Sequence, residues 1–160
     1  QRTFQVSLFH FHLQSCSDFF LAIFTAFAKP EEFYNALIEI GAKPGNNMTV
    51  NNATTTHVEG TPIKAEITWN GADKKYDINE VVKDSNGKQI DFRFGGNLKN
   101  ALDKNTGCLS CLDSCPVGII SNTTYTYGAV ETRKEVKFTG NEDILPEDGT
   151  YAAVIYSIKK

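Results

Sequence analysis

Three cysteines crowd into one short stretch, Gly107-Cys108-Leu109-Ser110-Cys111-Leu112-Asp113-Ser114-Cys115-Pro116-Val117-Gly118. The spacing is C-x2-C-x3-C-P. A thiolate is both a soft metal ligand and a nucleophile, so clustered thiols point to metal binding or redox chemistry. On a helix, residues at i, i+3 and i+7 share one face. In a loop, the small and polar residues between the cysteines let the chain wrap around a point. Either geometry brings the sulfurs together.

Three chemistries compete for this cluster. The first is an iron–sulfur site. The bacterial ferredoxin run is C-x2-C-x2-C-x3-C-P, and this chain carries its last three cysteines and the proline, with Asn105 where the first would stand. A cubane cluster takes four thiolates, so Cys16 is the candidate by type for a fourth ligand, the alternative being an exchangeable one from outside. The second is zinc held by Cys108, Cys111, Cys115 and Cys16, with His10 or His12 able to replace Cys16. The usual second C-x2-C pair is absent. The third is disulfides and no cofactor: four cysteines allow three pairings, and Cys16 would tie the N-terminal segment to the cluster. A redox-active C-x2-C pair is a further variant, without the βαβ context that usually carries one.

Other residue types offer less. His10 and His12 sit two apart, on one face of a strand, and a solvated strand face accounts for them as well as a metal does. His57 stands alone in a polar loop. Gly95-Gly96-Asn97 opens a helix but matches no nucleotide-binding fingerprint, so a turn and cap is expected, with Arg93 an outward strand residue. Glu142, Asp143, Glu147 and Asp148 lack the spacing of a calcium loop. Asp113 inside the cysteine segment opposes thiolate formation unless a cation is present. Ser110 and Ser114 are candidate donors to sulfur. No Ser/His/Asp arrangement forms a nucleophilic triad, so catalysis by the chain alone is not expected.

The elements that must position the cysteines are legible in part. Lys29-Pro30-Glu31-Glu32 starts a helix, with Pro30 at its first position and acids at its positive end. Phe33, Leu37 and Ile40 recur at helical spacing, Tyr34 and Ile38 widen the stripe, and Gly41 and Pro44 end it. Asn51 to Thr56 reads as a polar loop or edge strand. Ile63, Ala65, Ile67 and Trp69 alternate with Lys64, Glu66 and Thr68, marking a half-buried strand. A turn at Asn70-Gly71 returns into a second strand over 75–79. Ile90, Phe92 and Phe94 make another strand, and Asn97 caps a short helix carrying Leu98, Ala101 and Leu102. Strands are expected over 130–138 and 151–158, and the apolar run 19–28 suits a buried strand. Strands and helices do not alternate regularly. The expectation is therefore an α+β fold, a mostly antiparallel sheet with about two helices on one face.

Length and composition bound the rest. The 160 residues make one domain of ordinary size, covering 1–160 with an N-terminal strand segment over 1–28 and the cysteine-rich segment over 107–120. An apolar share of 41% supports a core, and 22% charged residues with a net charge of −3 give no basic footprint for nucleic acid. No apolar run reaches the ~20 residues of a membrane helix. Leu13-Gln14-Ser15-Cys16 resembles a lipoprotein processing box and Ala26-Phe27-Ala28 a signal-peptidase site, but no basic flank precedes them closely.

From Ala28 onward the chain resembles the YdjY-type domain, a family of uncharacterised bacterial proteins described as 4Fe-4S-binding. The stretches that carry the resemblance are KPEEFYNALIEIGAKPGNN (29–47), FGGNLKNALDKNTGCLSCLDSCPVGI (94–119) and GNEDILPEDGT (140–150). It extends to Cys108, Cys111 and Cys115 and not to His10, His12 or Cys16. It implies an iron–sulfur site and an extracytoplasmic location, because members look exported; the cysteine cluster itself suggests an iron–sulfur or other thiophilic-metal module with an electron-transfer role and a redox or protein partner.

Overall fold

The computed structural model describes residues 3–11 and 24–159, with 3–11 and 24–26 described as backbone only. In chain order the elements are β1 (Thr3–Phe11), β2 (Phe24–Ala26), α1 (Pro30–Glu39), β3 (Pro62–Trp69), β4 (Tyr76–Asp77), α2 (Ile78–Val81), β5 (Val82–Asp84), β6 (Phe92–Phe94), α3 (Leu98–Lys104), β7 (Ser110–Cys111), β8 (Ile120–Asn122), β9 (Phe138–Gly140) and β10 (Tyr151–Ile158).

β3 and β10 form the spine of the sheet. Their pairing runs in register from Ala152 opposite Trp69 to Ile158 opposite Ile63. Period-2 alternation sends Ile63, Ala65 and Ile67 to the same side as Ala152, Val154 and Tyr156, all buried. From this spine the order runs β2-β1-β10-β3-β6-β8-β7, with β4 also bonded to β3, and β5 with β9 makes a separate two-stranded sheet. Every strand pair is antiparallel except β7 with β8. The fold is α+β with a mostly antiparallel sheet, as expected, although three helices are present among the described residues.

α1 begins where Pro30 and the acids place it, and the Glu32 carboxylate accepts the Lys29 N–H at 3.2 Å. Phe33, Leu37 and Ile40 are buried, while Ile38 stays 42% exposed. The apolar stripe is thus narrower than the sequence implied. The Phe33 ring meets Tyr156 of β10 edge-on at 4.9 Å, and Tyr34 leans on Phe94 of β6. These contacts seat the helix on the sheet, and each fully buried large side chain contributes ~2 kcal/mol.

Two sequence expectations change. The return strand over 75–79 shrinks to β4, because Asp77 accepts from Asn79 N–H and opens α2 instead. The expected strand over 130–138 is a run of turns gripped by Arg133, which donates to the Tyr127 and Thr126 carbonyls; only β9 follows it. The segment 51–56 is turn rather than edge strand.

Candidate functional site

The cysteine segment begins where α3 stops. Asn105, which occupies the place of the missing first cysteine, closes the helix in the left-handed region (φ 49°), and Gly107 follows at φ 65°. β7 then pairs in parallel with β8, Ser110 opposite Ile120 and Cys111 opposite Ser121. A parallel pair normally needs a crossover of a dozen or more residues. The segment between them is shorter, because strands of two and three residues leave little length to retrace. The cysteine segment is therefore a loop with one short strand, and not a helix.

Polar side chains from all sides hold this loop. Asn97 is buried, and its Nδ2 donates to the carbonyls of Cys115 and Gly118, each at 3.1 Å. Asn100 donates to the Pro116 carbonyl at 3.0 Å, and the Gly96 N–H to that of Ile119. Asn122 donates to the Leu112 carbonyl at 3.0 Å while its Oδ1 accepts the Asp91 and Thr124 N–H groups. Ser114, fully buried, accepts the Val58 N–H and donates to the Asn122 carbonyl. A buried loop must satisfy its backbone somewhere, and here side-chain amides do it. Asn97 thus stands at the N-cap position of α3, as expected, with its carbonyl accepting the Ala101 N–H at 2.9 Å, but its side chain does not cap the helix. It lies in the left-handed region (φ 50°) and points into the cysteine loop.

The loop brings Cys108, Cys111 and Cys115 together as free thiols. Cys111 is central and hydrogen-bonds to both others. By keeping its proton between two neighbours, and through burial, Cys111 has its pKa pushed well above the usual thiol range. The bond from Cys111, joined by one from the Thr106 hydroxyl and opposed by burial, brings Cys108 down to about 6. Cys115 is likewise lowered, first by Cys111 and then by the backbone N–H groups of Val117 and Gly118 aimed at its sulfur. Gly118 packs so closely that a Cβ there would lie 2.8 Å from both the Cys111 sulfur and the Ser121 hydroxyl. Among the described residues no group of three or more His, Cys, Asp or Glu side chains is already disposed to hold a metal ion. The sulfurs form a chain centred on Cys111.

The remaining candidates fall outside this arrangement. Cys16 and His12 lie outside the described residues, and His10 is described only as backbone in β1, opposite Tyr151. His57 is exposed, with Nδ1 2.6 Å from the Thr123 carbonyl. Arg93 is ion-paired to Asp91 at 2.6 Å. Asp113 turns away from the thiols to accept the Gly128 N–H at 2.8 Å, and burial raises its pKa. Neither serine serves sulfur: Ser114 bonds backbone, and Ser110 bonds Tyr156. The Thr106 hydroxyl and the Val117 and Gly118 amides take that place, while the Ser121 hydroxyl accepts the Cys115 N–H at 3.3 Å. Tyr127, 43% exposed, also borders the cluster; burial and the charges of Cys115, Asp113, Cys111 and Cys108 raise its pKa. The backbone amides of C-P-V-G were foreseeable as sulfur donors from the turn that Pro116 and Gly118 impose. Thr106, Ser121 and Tyr127 had no sequence signal.

This combination of a mostly antiparallel α+β sheet with a thiol loop at its β7 edge defines a domain class, and residues 16–157 match the model of the YdjY domain; the chain belongs to that family. It is 57% identical over 137 residues to the uncharacterized protein YdjY of Escherichia coli (strain K12), which covers 86% of this chain and 61% of that protein. The chain therefore spans about three-fifths of the curated relative it matches. No solved structure matches it. Among the described residues, no helix is long and apolar enough to cross a membrane.

Proposed function

We propose that the chain is a binding module for a thiophilic metal, an iron–sulfur cluster foremost, held by Cys108, Cys111 and Cys115. The observation that carries this reading is the contact of Cys111 with both other thiols on a loop whose amides already point at sulfur. Hydrogen bonds to thiolate sulfur are a second layer that orients ligands and tunes potential at metal–thiolate sites. The donor set suits such a group by chemistry: three soft ligands, with the Cys108 and Cys115 thiols both lowered by their bonds to Cys111. Cys16 remains the candidate by type for a fourth ligand, and zinc the alternative metal. A bound cluster would supply one-electron transfer to a redox or protein partner. An extracytoplasmic location belongs to the same proposal, and cell fractionation tests it.

The test is anaerobic reconstitution of the full chain with ferrous iron and sulfide. Absorbance at ~400 nm that is lost in Cys108→Ser, Cys111→Ser and Cys115→Ser is the expected result. A chain that takes up neither iron with sulfide nor zinc, with its thiols titrating as free, overturns the reading.

A further inference from the structure

The same three sulfurs have a second capacity in the metal-free chain. Cys111 is fixed: it sits in β7, in register with Ser121, with Gly118 pressed against its sulfur. Cys108 lies outside that strand, half-buried, after Gly107 with open space around it and an exposed run over 102–107. Cys108 is thus partly exposed beside an exposed run of chain, and its thiol is hydrogen-bonded to that of Cys111. A sulfur reachable from outside, backed by a second sulfur in contact, is the arrangement that thiol–disulfide exchange requires. Cys115, buried on the far side of Cys111, is not needed for it.

We propose that the metal-free chain reduces low-molecular-weight disulfides, with Cys108 as the attacking thiol and Cys111 as the resolving thiol. In the first step the Cys108 thiolate attacks one sulfur of the disulfide. A Cys108 mixed disulfide forms, the substrate S–S bond breaks, and the other half leaves as a thiolate that takes up a proton. In the second step Cys111 gives up its proton and attacks the Cys108 sulfur. The Cys108–Cys111 bond forms and the second half leaves as a thiol. Two protein thiols are oxidised, one substrate disulfide is reduced to two thiols, and no further reagent is consumed.

The test uses the full chain, treated with chelator and then with glutathione disulfide, quenched in acid and mapped by peptide mass. In the unaltered chain the expected product has lost two hydrogens, carries no glutathione, and joins Cys108 to Cys111. In Cys111→Ser the first step stalls and one glutathione stays on Cys108. Cys115→Ser, an independent check on folding of the altered loop, still forms the Cys108–Cys111 bond. Glutathione retained on the unaltered chain, or located on Cys115 or Cys16 in Cys111→Ser, overturns the inference. The metal reading fails separately, since metal uptake is measured on the reduced chain.

Discussion

Among single residues, Cys108 and Gly118 make the clearest predictions. Cys108 ionises at about 6 in the folded chain against an ordinary 9.0, so its alkylation by iodoacetamide should be half-maximal at about pH 6. The same shift makes a stability statement. A depressed pKa adds stability that is complete above the ordinary value and lost as pH falls through about 6. Cys111 opposes this on the alkaline side, because its raised pKa keeps it protonated in the fold after the unfolded chain has ionised. The urea midpoint should therefore climb from about pH 6 toward 9 and then turn down, and Cys108→Ser should flatten the climb. At Gly118 any side chain meets sulfur and hydroxyl at 2.8 Å. Gly118→Ala should cost ~1–3 kcal/mol by overpacking and speed the reaction of Cys111 with a thiol reagent as its packing opens. A variant with unchanged stability and thiol reactivity would show that the close approach does not matter. The thiols themselves were legible as a cluster from spacing alone. Their order, with Cys111 in the middle, was not, because spacing says nothing of side-chain direction in a loop.

At the scale of elements, the loop between β7 and β8 is held by α3 and β8 through amide side chains. Asn97 serves two carbonyls and stands at φ 50°. Replacing it separates the two roles. Asn97→Gly loses the bonds and keeps the backbone conformation; Asn97→Ala loses both. Each should cost ~1–3 kcal/mol for the unpaired carbonyls, with Ala roughly 1–2 kcal/mol worse in the left-handed region. Denaturant titrations of the two variants check the difference, and equal costs would assign the whole effect to the bonds. An Asn after two glycines before a short apolar helix reads as a cap from sequence. The cap position held, but the side chain serves the buried carbonyls of Cys115 and Gly118 instead of the first-turn amides. α1 and β3 were readable almost to their ends, since each carries its own periodicity. α2 and β8 were not: four and three residues are too few for a period to show.

Across the whole molecule, the spine of β3 and β10 sits several strands away from the cysteine edge. The chain's one tryptophan, Trp69, lies in this spine, stacked on Tyr76 with ring centroids 5.1 Å apart. Ile67 is fully buried there, and Ile67→Ala should cost ~2–5 kcal/mol. If the sheet is one cooperative unit, tryptophan fluorescence and thiol reactivity should report a single coincident urea transition, shifted equally by Ile67→Ala. A thiol transition that stays put while the tryptophan transition moves would show that the loop opens on its own.

The residue order alone determined which chemistry is available and which large elements form. Three thiols within eight positions lie at most about 25 Å apart even on an extended chain, and an amphipathic period of 3.6 or 2 declares its own helix or strand. Tertiary structure alone decided the state of those thiols. Which sulfur donates, which accept, and which amides face them depend on carbonyls and hydroxyls contributed from residues 58 to 125, brought together only when β6, β7 and β8 align. Hydrogen bonds between distant segments leave no periodic trace in the sequence, because each partner is an ordinary polar residue until the fold supplies the other.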